Sequence, residues 1–153
     1  MKIIYHCYGG AHSSVIAAHL HLGNVQNTSP SVKDICNLPR FDKTADTAAG
    51  QLFFMGRDEN GDEVYILGLG SNTRIGVQLI KSLLRYYRIP DHEVLLVFTL
   101  PATRMFSRLG GFISRVLKLA PVGRPLVAWD VKRCWNDYVT LVREAKSQKG
   151  ERQ

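Results

Sequence analysis

The sequence predicts an α/β protein: a three-layer, mostly parallel sheet with a β-hairpin at one edge and helices on both faces, in a P-loop-like, Rossmannoid arrangement. Strand-like apolar runs alternate with helical patterns along the chain. Asn60-Gly61 joins two β-rich runs. A glycine turn links the first apolar run to the first helical pattern. A chain of 153 residues suits one domain, which we assign to residues 1–147, with 148–153 as a frayed polar tail.

The first half of the chain begins with a strand and a helix. The apolar run at residues 3–7 predicts the first strand, and residues 14–22 predict a helix that Gly23 ends. Ser31 is placed to cap a short second helix, which Pro39 stops.

A hairpin follows these elements. Residues 51–55 and 63–69 are β-rich, and the Asn60-Gly61 turn between them tolerates the positive φ angles of a tight hairpin. We therefore expect an antiparallel pair at one edge of the sheet. Acidic side chains cluster in this turn, and a charged turn explains them better than an acid pair or metal ligands do. They are Asp58, Glu59 and Asp62.

The second half begins with a long helix that extends to about residue 88. Apolar side chains recur at helical spacing and are expected to face the core. They are Ile75, Leu79, Ile80, Leu83, Leu84 and Tyr87. The segment 93–100 then contains a continuous apolar run, which is typical of a strand buried on both faces.

The remaining segments predict helix, strand and helix. Residues 101–119 have helical spacing, 121–124 form a turn, and the apolar run 125–129 is expected to be the last strand. Asp130 is expected to cap a final helix. The buried stripe of that helix consists of Trp135, Tyr138 and Val142.

Composition and charge narrow the functional classes. Residues 1–73 carry 5 basic and 7 acidic side chains, whereas residues 74–153 carry 15 and 6. A basic half attracts anions such as phosphorylated metabolites, nucleotides or nucleic acid, and the alternative is an ordinary solvated surface. No apolar run approaches the roughly 20 residues that span a bilayer, and no signal-peptide layout is present, so we expect a cytoplasmic protein without membrane contact.

The loop after the first strand is the strongest candidate site. Its sequence is Cys7-Tyr8-Gly9-Gly10-Ala11-His12-Ser13-Ser14. Unpaired amides at a helix start attract anions and stabilise a thiolate. We therefore interpret Cys7 as a nucleophile and His12 as a proton donor or phosphate contact. The backbone at Gly9 and Gly10, with the hydroxyls of Ser13 and Ser14, is expected to hold the anion. The alternative is a tight turn beside a small buried cysteine.

Comparison with known loops limits this interpretation. The loop lacks the lysine of a Walker A motif, and it has Ser13 where a tyrosine-phosphatase loop has arginine. It is similar to the phosphocysteine loop of phosphotransferase-system IIB domains, in which Cys-x-x-Gly precedes hydroxyl residues at a helix start. Cys7, Gly10, Ser13 and Ser14 match that pattern, and His12 stands where a hydroxyl residue is common.

Other candidate residues are less specific. The turn from Gly68 into the long helix carries Arg74, which could supply the cation that the first loop lacks. A metal site is not predicted, because His6 alternates with Cys7 across the strand, and His19 and His21 point to different sides of the first helix.

The chain also resembles a small bacterial domain family without an assigned function. The similar pieces include Cys-Tyr-Gly-Gly-x-His-Ser-Ser from Cys7, Gly-Gly-Phe-x-Ser-Arg ending at Arg115, and Gly-Arg-Pro-Leu-Val containing Arg124. The resemblance implies one domain of this length and brings no substrate, cofactor or catalytic role. It marks Arg115 and Arg124 as candidate anion contacts, with structural roles as the alternative.

Two functions remain open at this point. The first is binding of a phosphate-bearing small ligand at the Cys7 loop, with phosphoryl-transfer or thiol-dependent chemistry through Cys7. The alternative is a non-catalytic module that binds nucleotide or nucleic acid through the basic half. The sequence leaves open whether the protein is an enzyme, which cofactor it uses, and its oligomeric state.

Overall fold

The structure, a computed structural model, describes residues 1–43, 48–99 and 120–150. Within these ranges it contains one four-stranded sheet of order β2-β3-β1-β4. The strands are β1 (Lys2–Cys7), β2 (Leu52–Arg57), β3 (Glu63–Gly68) and β4 (Val94–Phe98). β1 runs parallel to both β3 and β4, whereas β2 pairs antiparallel with β3. The α/β class, the mostly parallel sheet and the hairpin edge are therefore confirmed.

Five helices are present in the described ranges. They are α1 (Ser13–His21), α2 (Val32–Asn37), α3 (Thr73–Tyr86), α4 (Ala120–Arg133) and α5 (Trp135–Gly150), with a 3-10 turn at Gly70–Asn72 before α3. α2 begins with the predicted Ser31 cap, because the Ser31 hydroxyl accepts the Asp34 N–H and the Asp34 carboxylate accepts the Ser31 N–H. α5 extends to Gly150 and so enters the predicted tail.

The hydrophobic core lies on one face of the sheet. Ile3 and Tyr5 of β1, fully buried, pack there with Val64 and Ile66 of β3. Every residue of α1 is buried, because this short helix lies between the sheet and other helices. Burial on all sides explains why α1 lacks the polar face of a surface helix. The core is completed by side chains of α4 and α5, including Val127, Trp135 and Tyr138.

The segment from residue 120 to 133 corrects the sequence prediction. Residues 121–124 were expected to form a turn and 125–129 a strand, but both lie in helix α4. Val127, Ala128 and Val131 are buried, and their spacing defines one face of a helix. A short apolar run fits a buried helix as well as a buried strand, which explains the error. Asp130 is not a cap: it lies inside α4, where its carbonyl accepts the Cys134 N–H.

Two predicted burial patterns are also wrong. The side chains of Ile75, Leu79 and Leu83 on α3 are 62, 59 and 47% exposed, and α3 has no buried residue in the described part of the chain. β4 was expected to be buried on both faces, but it is an edge strand of the described sheet, with Leu95 buried and Phe98 41% exposed. The helix predicted at 101–119 lies outside the described residues.

A buried polar chain anchors the hairpin to α1. The Tyr5 hydroxyl lies 2.7 Å from His21 Nδ1, and His21 Nε2 lies 3.2 Å from Asp58 Oδ2. An imidazole protonated at Nε2 satisfies both bonds, since Nδ1 then accepts the Tyr5 proton and Nε2–H donates to the carboxylate. Asp58 Oδ1 also accepts the backbone N–H groups of Asn60 and Asp62 at 2.9 Å each. Asp58 therefore organises the turn and ties it to the core.

We expect Asp58→Ala to lower the free energy of unfolding by about 3 kcal/mol, because it leaves buried donors without their acceptor. The matched control is Glu59→Ala in the same turn, whose side chain is 75% exposed and pairs with the surface residue Lys146. That change is expected to stay within about 0.5 kcal/mol of the wild type. Urea unfolding of the three proteins measures the difference, and equal losses in both variants would contradict the anchoring role.

Candidate functional site

Two loops meet at the carboxyl edge of the parallel strands. The register pairs Cys7 at the end of β1 with Gly68 at the end of β3. Beyond the strands the pairing continues, because the Leu69 N–H donates to the Cys7 carbonyl at 3.0 Å and the Gly70 N–H to the Tyr8 carbonyl at 2.8 Å. The carboxyl edge of a parallel sheet is where ligands of α/β proteins generally bind. The structure thus brings the two loops singled out in the sequence into contact.

The glycines of these loops allow their backbones to touch. A Cβ atom on Gly10 would lie 2.8 Å from the Gly68 nitrogen, and a Cβ atom on Gly68 would lie 2.8 Å from the Gly9 carbonyl carbon. Gly10 also has φ +62°, a conformation that favours glycine. A side chain at Gly10 or Gly68 would therefore separate the two loops.

The sulfur of Cys7 is buried but has polar neighbours. Cys7 is 4% exposed. Its Sγ accepts the Gly10 N–H at 3.1 Å and lies 3.3 Å from Ser14 Oγ. Both contacts come from the segment that turns from β1 into α1, so the loop folds back over its own cysteine. The sulfur therefore has an N–H donor and a hydroxyl as polar neighbours, close to the start of α1.

Ser13 takes part in a different set of contacts. Its hydroxyl accepts from Thr99 Oγ1 at 2.9 Å, and Thr99 Oγ1 also lies 3.1 Å from the His6 carbonyl. Ser13 and Thr99 are both buried, so these bonds tie the end of β4 to the start of α1. Sequence reasoning did not identify Thr99, because nothing in the sequence indicates that the strand at 93–100 lies beside β1.

His12 is held by Asp42, a residue that sequence reasoning did not propose for the site. His12 Nε2 lies 2.8 Å from Asp42 Oδ1, and the side chains are 17 and 6% exposed. The His12 ring also meets the edge of the Phe41 ring at 5.4 Å. In the sequence, Asp42 ends the motif Leu38-Pro39-Arg40-Phe41-Asp42, which is another piece of the family resemblance but carries no assigned role. The fold brings it 30 positions back to the loop.

The three candidate arginines have different positions. Arg124, on α4, donates through its guanidinium to the Phe41 carbonyl at 2.7 Å, one residue before Asp42. Arg74 is exposed in the first turn of α3, and no contact joins it to the Cys7 loop within the described ranges. Arg115 lies outside the described residues.

Buried titratable groups lie near Cys7 on both faces of β1. Burial raises the pKa of Tyr138, as do the neighbouring Cys7, Cys134 and Asp130. The Tyr138 hydroxyl has no hydrogen-bond partner in the part of the chain that the structure describes. On the opposite face of β1, burial lowers the pKa of His6 to about 4, so this imidazole is neutral at physiological pH. His6 therefore does not supply positive charge to the site.

Residues 1–43, 48–99 and 120–150 contain neither a candidate metal site nor a candidate membrane-spanning helix. No group of three histidine, cysteine or acidic side chains in these ranges could hold a metal ion. No helix in them has the length and apolar character needed to cross a bilayer.

The fold and the site define an α/β protein with a cysteine-containing loop at the carboxyl edge of a mostly parallel sheet. The chain belongs to the family described as protein of unknown function DUF3189, which matches residues 2–147. No curated protein and no solved structure matches it significantly. The family assignment agrees with the resemblance inferred from the sequence and brings no activity with it.

We expect Gly68→Ala to lower the free energy of unfolding by about 2 kcal/mol, because the new methyl group overlaps the Gly9–Gly10 backbone. Moving that loop also exposes Cys7, so its alkylation by iodoacetamide should accelerate. Gly61→Ala is the control: its φ is +80° and no atom lies within 4 Å of the new Cβ. It should cost stability through strain alone and leave Cys7 alkylation unchanged. Unaltered alkylation in Gly68→Ala would contradict the contact between the loops.

Proposed function

We propose that the protein binds a phosphate-bearing small ligand at the loop between β1 and α1 and uses Cys7 as a nucleophile. The observation that carries this proposal is the Cys7 sulfur itself, which accepts the Gly10 N–H and neighbours the Ser14 hydroxyl at the start of a helix. Cysteine in such a setting supports phosphoryl transfer or other thiol-dependent chemistry.

Anion binding is supported by the first turn of α1. The Ile16 N–H donates to the His12 carbonyl, as the helix requires. The backbone N–H groups of Ser14 and Val15 have no acceptor in the described ranges. These donors, together with the positive end of the helix dipole, suit a phosphate group. The Gly10 amide is already directed to sulfur, so in this proposal it stabilises the thiolate, and the helix amides hold the anion.

The residues around the Cys7 loop leave it open to a ligand and include side chains that can contact an anion. Tyr8 is 57% exposed, and Gly9 and His12 are partly exposed, so a ligand can reach the loop from this side. In this proposal His12 is a titratable partner for a phosphate oxygen, and Arg124 adjoins the segment that holds His12. Arg74 and Arg115 remain predicted anion contacts.

In phosphoryl transfer, the Cys7 sulfur would form a bond to phosphorus while the bond from phosphorus to the leaving oxygen breaks. The leaving oxygen would then take a proton from the site or from water. The P-loop-like, three-layer arrangement and a cytoplasmic location belong to this same proposal. The parallel pairing of β1 with both neighbours and the glycine turn that follows it support the P-loop-like arrangement.

We expect inorganic phosphate and sugar phosphates to slow alkylation of Cys7 by iodoacetamide, because the anion occupies the approach to sulfur. Cys36 is the internal control. It is half-buried on α2, its thiol lies 3.8 Å from the Arg124 carbonyl, and burial raises its pKa. Mass spectrometry of both cysteines in one sample measures the rates. Equal protection of Cys7 and Cys36, or no protection of either, would contradict the proposal.

The same ligands should raise thermal stability. A ligand at 100 times its Kd stabilises the folded state by about 2.7 kcal/mol, which is measurable by thermal shift. Ser14→Ala, which removes the hydroxyl beside sulfur, should reduce Cys7 reactivity and keep phosphate stabilisation. Ser82→Ala on α3, where the hydroxyl bonds only the Gln78 carbonyl, is the matched control.

One observation favours the alternative of a nucleotide- or nucleic-acid-binding module. Tyr86 and Tyr87 at the end of α3 are 78 and 68% exposed, and Arg85 and Arg88 beside them are also exposed. Exposed aromatic rings among cations are typical of surfaces that stack bases and contact phosphates.

If this surface binds single-stranded RNA, affinity should fall steeply with salt, and replacing Tyr86 and Tyr87 by alanine should weaken binding by about 1–3 kcal/mol per stacked base. Fluorescence anisotropy with a labelled oligonucleotide measures both effects. Cys7→Ser is the control, since it leaves α3 unchanged. Absence of binding at low salt would exclude this alternative.

A further inference from the structure

The bond between His12 and Asp42 is short and largely shielded from water. The distance from Nε2 to Oδ1 is 2.8 Å, and the Asp42 side chain is only 6% exposed. An ionised carboxylate can only accept hydrogen bonds, so the imidazole nitrogen that faces it must carry the proton. In a neutral ring, Nδ1 is then left without a proton and can accept one. No group in the described ranges occupies Nδ1.

The backbone that presents Asp42 is strained. Arg40 and Asp42 both have positive φ, at 64° and 55°, although neither is glycine. Aspartate tolerates this conformation better than arginine does, so the φ of Arg40 in particular indicates that surrounding contacts hold the segment in place.

Several contacts impose this conformation. Phe41 is fully buried between the two strained residues. The Asp42 N–H donates to the Ala11 carbonyl at 2.9 Å, immediately before His12. Arg124 holds the Phe41 carbonyl from the opposite side at 2.7 Å. The segment is therefore fastened to the same loop whose histidine it contacts.

From this geometry we infer that Asp42 is a positioning residue that holds His12 as the Nε2–H tautomer and leaves Nδ1 as the proton acceptor of the site. This inference rests on the proposed function of the Cys7 loop. The proton lost by the Cys7 thiol passes to Nδ1, directly or through a water molecule, which yields a thiolate and an imidazolium. Asp42 stabilises that imidazolium, and the proton returns to the leaving group when the bond from phosphorus to oxygen breaks.

The test combines a spectroscopic readout with a chemical one. Long-range proton–nitrogen NMR, at a pH where the imidazole is neutral and with His12→Gln to assign the signal, reports which nitrogen is protonated. We expect Nε2–H in the wild type. In Asp42→Asn the amide can donate to Nε2, so the tautomer should change to Nδ1–H. The rate of Cys7 alkylation should then fall by about tenfold or more. Cys36 alkylation should not fall, because the Asp42 charge raises the pKa of Cys36 and its removal can only favour that thiolate.

Glu59→Gln is the matched control, because it makes the same change from carboxylate to amide in the hairpin turn at the other end of the sheet. It should change neither readout. If Asp42→Asn does not fold, the wild-type tautomer and Asp42→Glu, which keeps a carboxylate, still decide the matter. Nδ1–H in the wild type, or an unchanged tautomer and rate in Asp42→Asn, would overturn the inference.

The tautomer measurement and the phosphate-protection measurement distinguish a failure of this inference from a failure of the proposed function. If phosphate does not protect Cys7, the proposed function is contradicted. If His12 nevertheless carries its proton on Nε2, Asp42 is still the residue that orients His12. Phosphate protection of the wild type with an Nδ1–H tautomer supports the ligand site and rejects the role of Asp42.

Discussion

The contact between the Gly9–Gly10 backbone and the Gly68 backbone is the constraint on which the rest of the site depends. A Cβ atom at Gly10 or Gly68 would come within 2.8 Å of the opposite chain. This contact closes the carboxyl edge between β1 and β3 and turns the chain sharply into α1. This turn places the Gly10 N–H against the Cys7 sulfur. Any anion site at this edge follows from that turn.

The two ends of the sheet use polar contacts for different purposes. At the hairpin end, Tyr5, His21 and Asp58 form a closed chain in which each polar atom named has a partner, as expected of a structural anchor. At the carboxyl end, the Ser14 and Val15 amides and His12 Nδ1 have no partner in the described ranges, and two residues nearby are strained. Unused donors and backbone strain concentrate where a protein binds or reacts, rather than where it is only held together.

Local sequence patterns predicted the elements whose signals are local. Asn60-Gly61 indicated the hairpin, and Ser31 indicated the start of α2. The mostly parallel sheet followed from the alternation of strands and helices. The segment 125–129 was wrong because an apolar run of that length has no period that separates a strand from a buried helix.

Only the part of the site that is continuous in the sequence could be predicted. Cys7, His12 and Ser14 lie in one loop, and the loop could be singled out from its glycines and its position after a strand. Asp42 and Thr99 reach it from 30 and 86 or more positions away, through tertiary contacts with no local signature. The glycines, which were expected to hold an anion, also permit two backbones to approach each other, and the Gly10 amide donates to the sulfur.

The central proposal is that an anion binds at the start of α1, and an amide chemical-shift titration with inorganic phosphate tests it directly. In ¹H–¹⁵N spectra of the intact chain, the largest saturable shifts should fall on the amides of His12, Ser13, Ser14 and Val15, and Cys7→Ser should retain them. Shifts confined to Arg85 through Arg88 on α3, or a Cys7 loop that stays unperturbed at saturating phosphate, would contradict it.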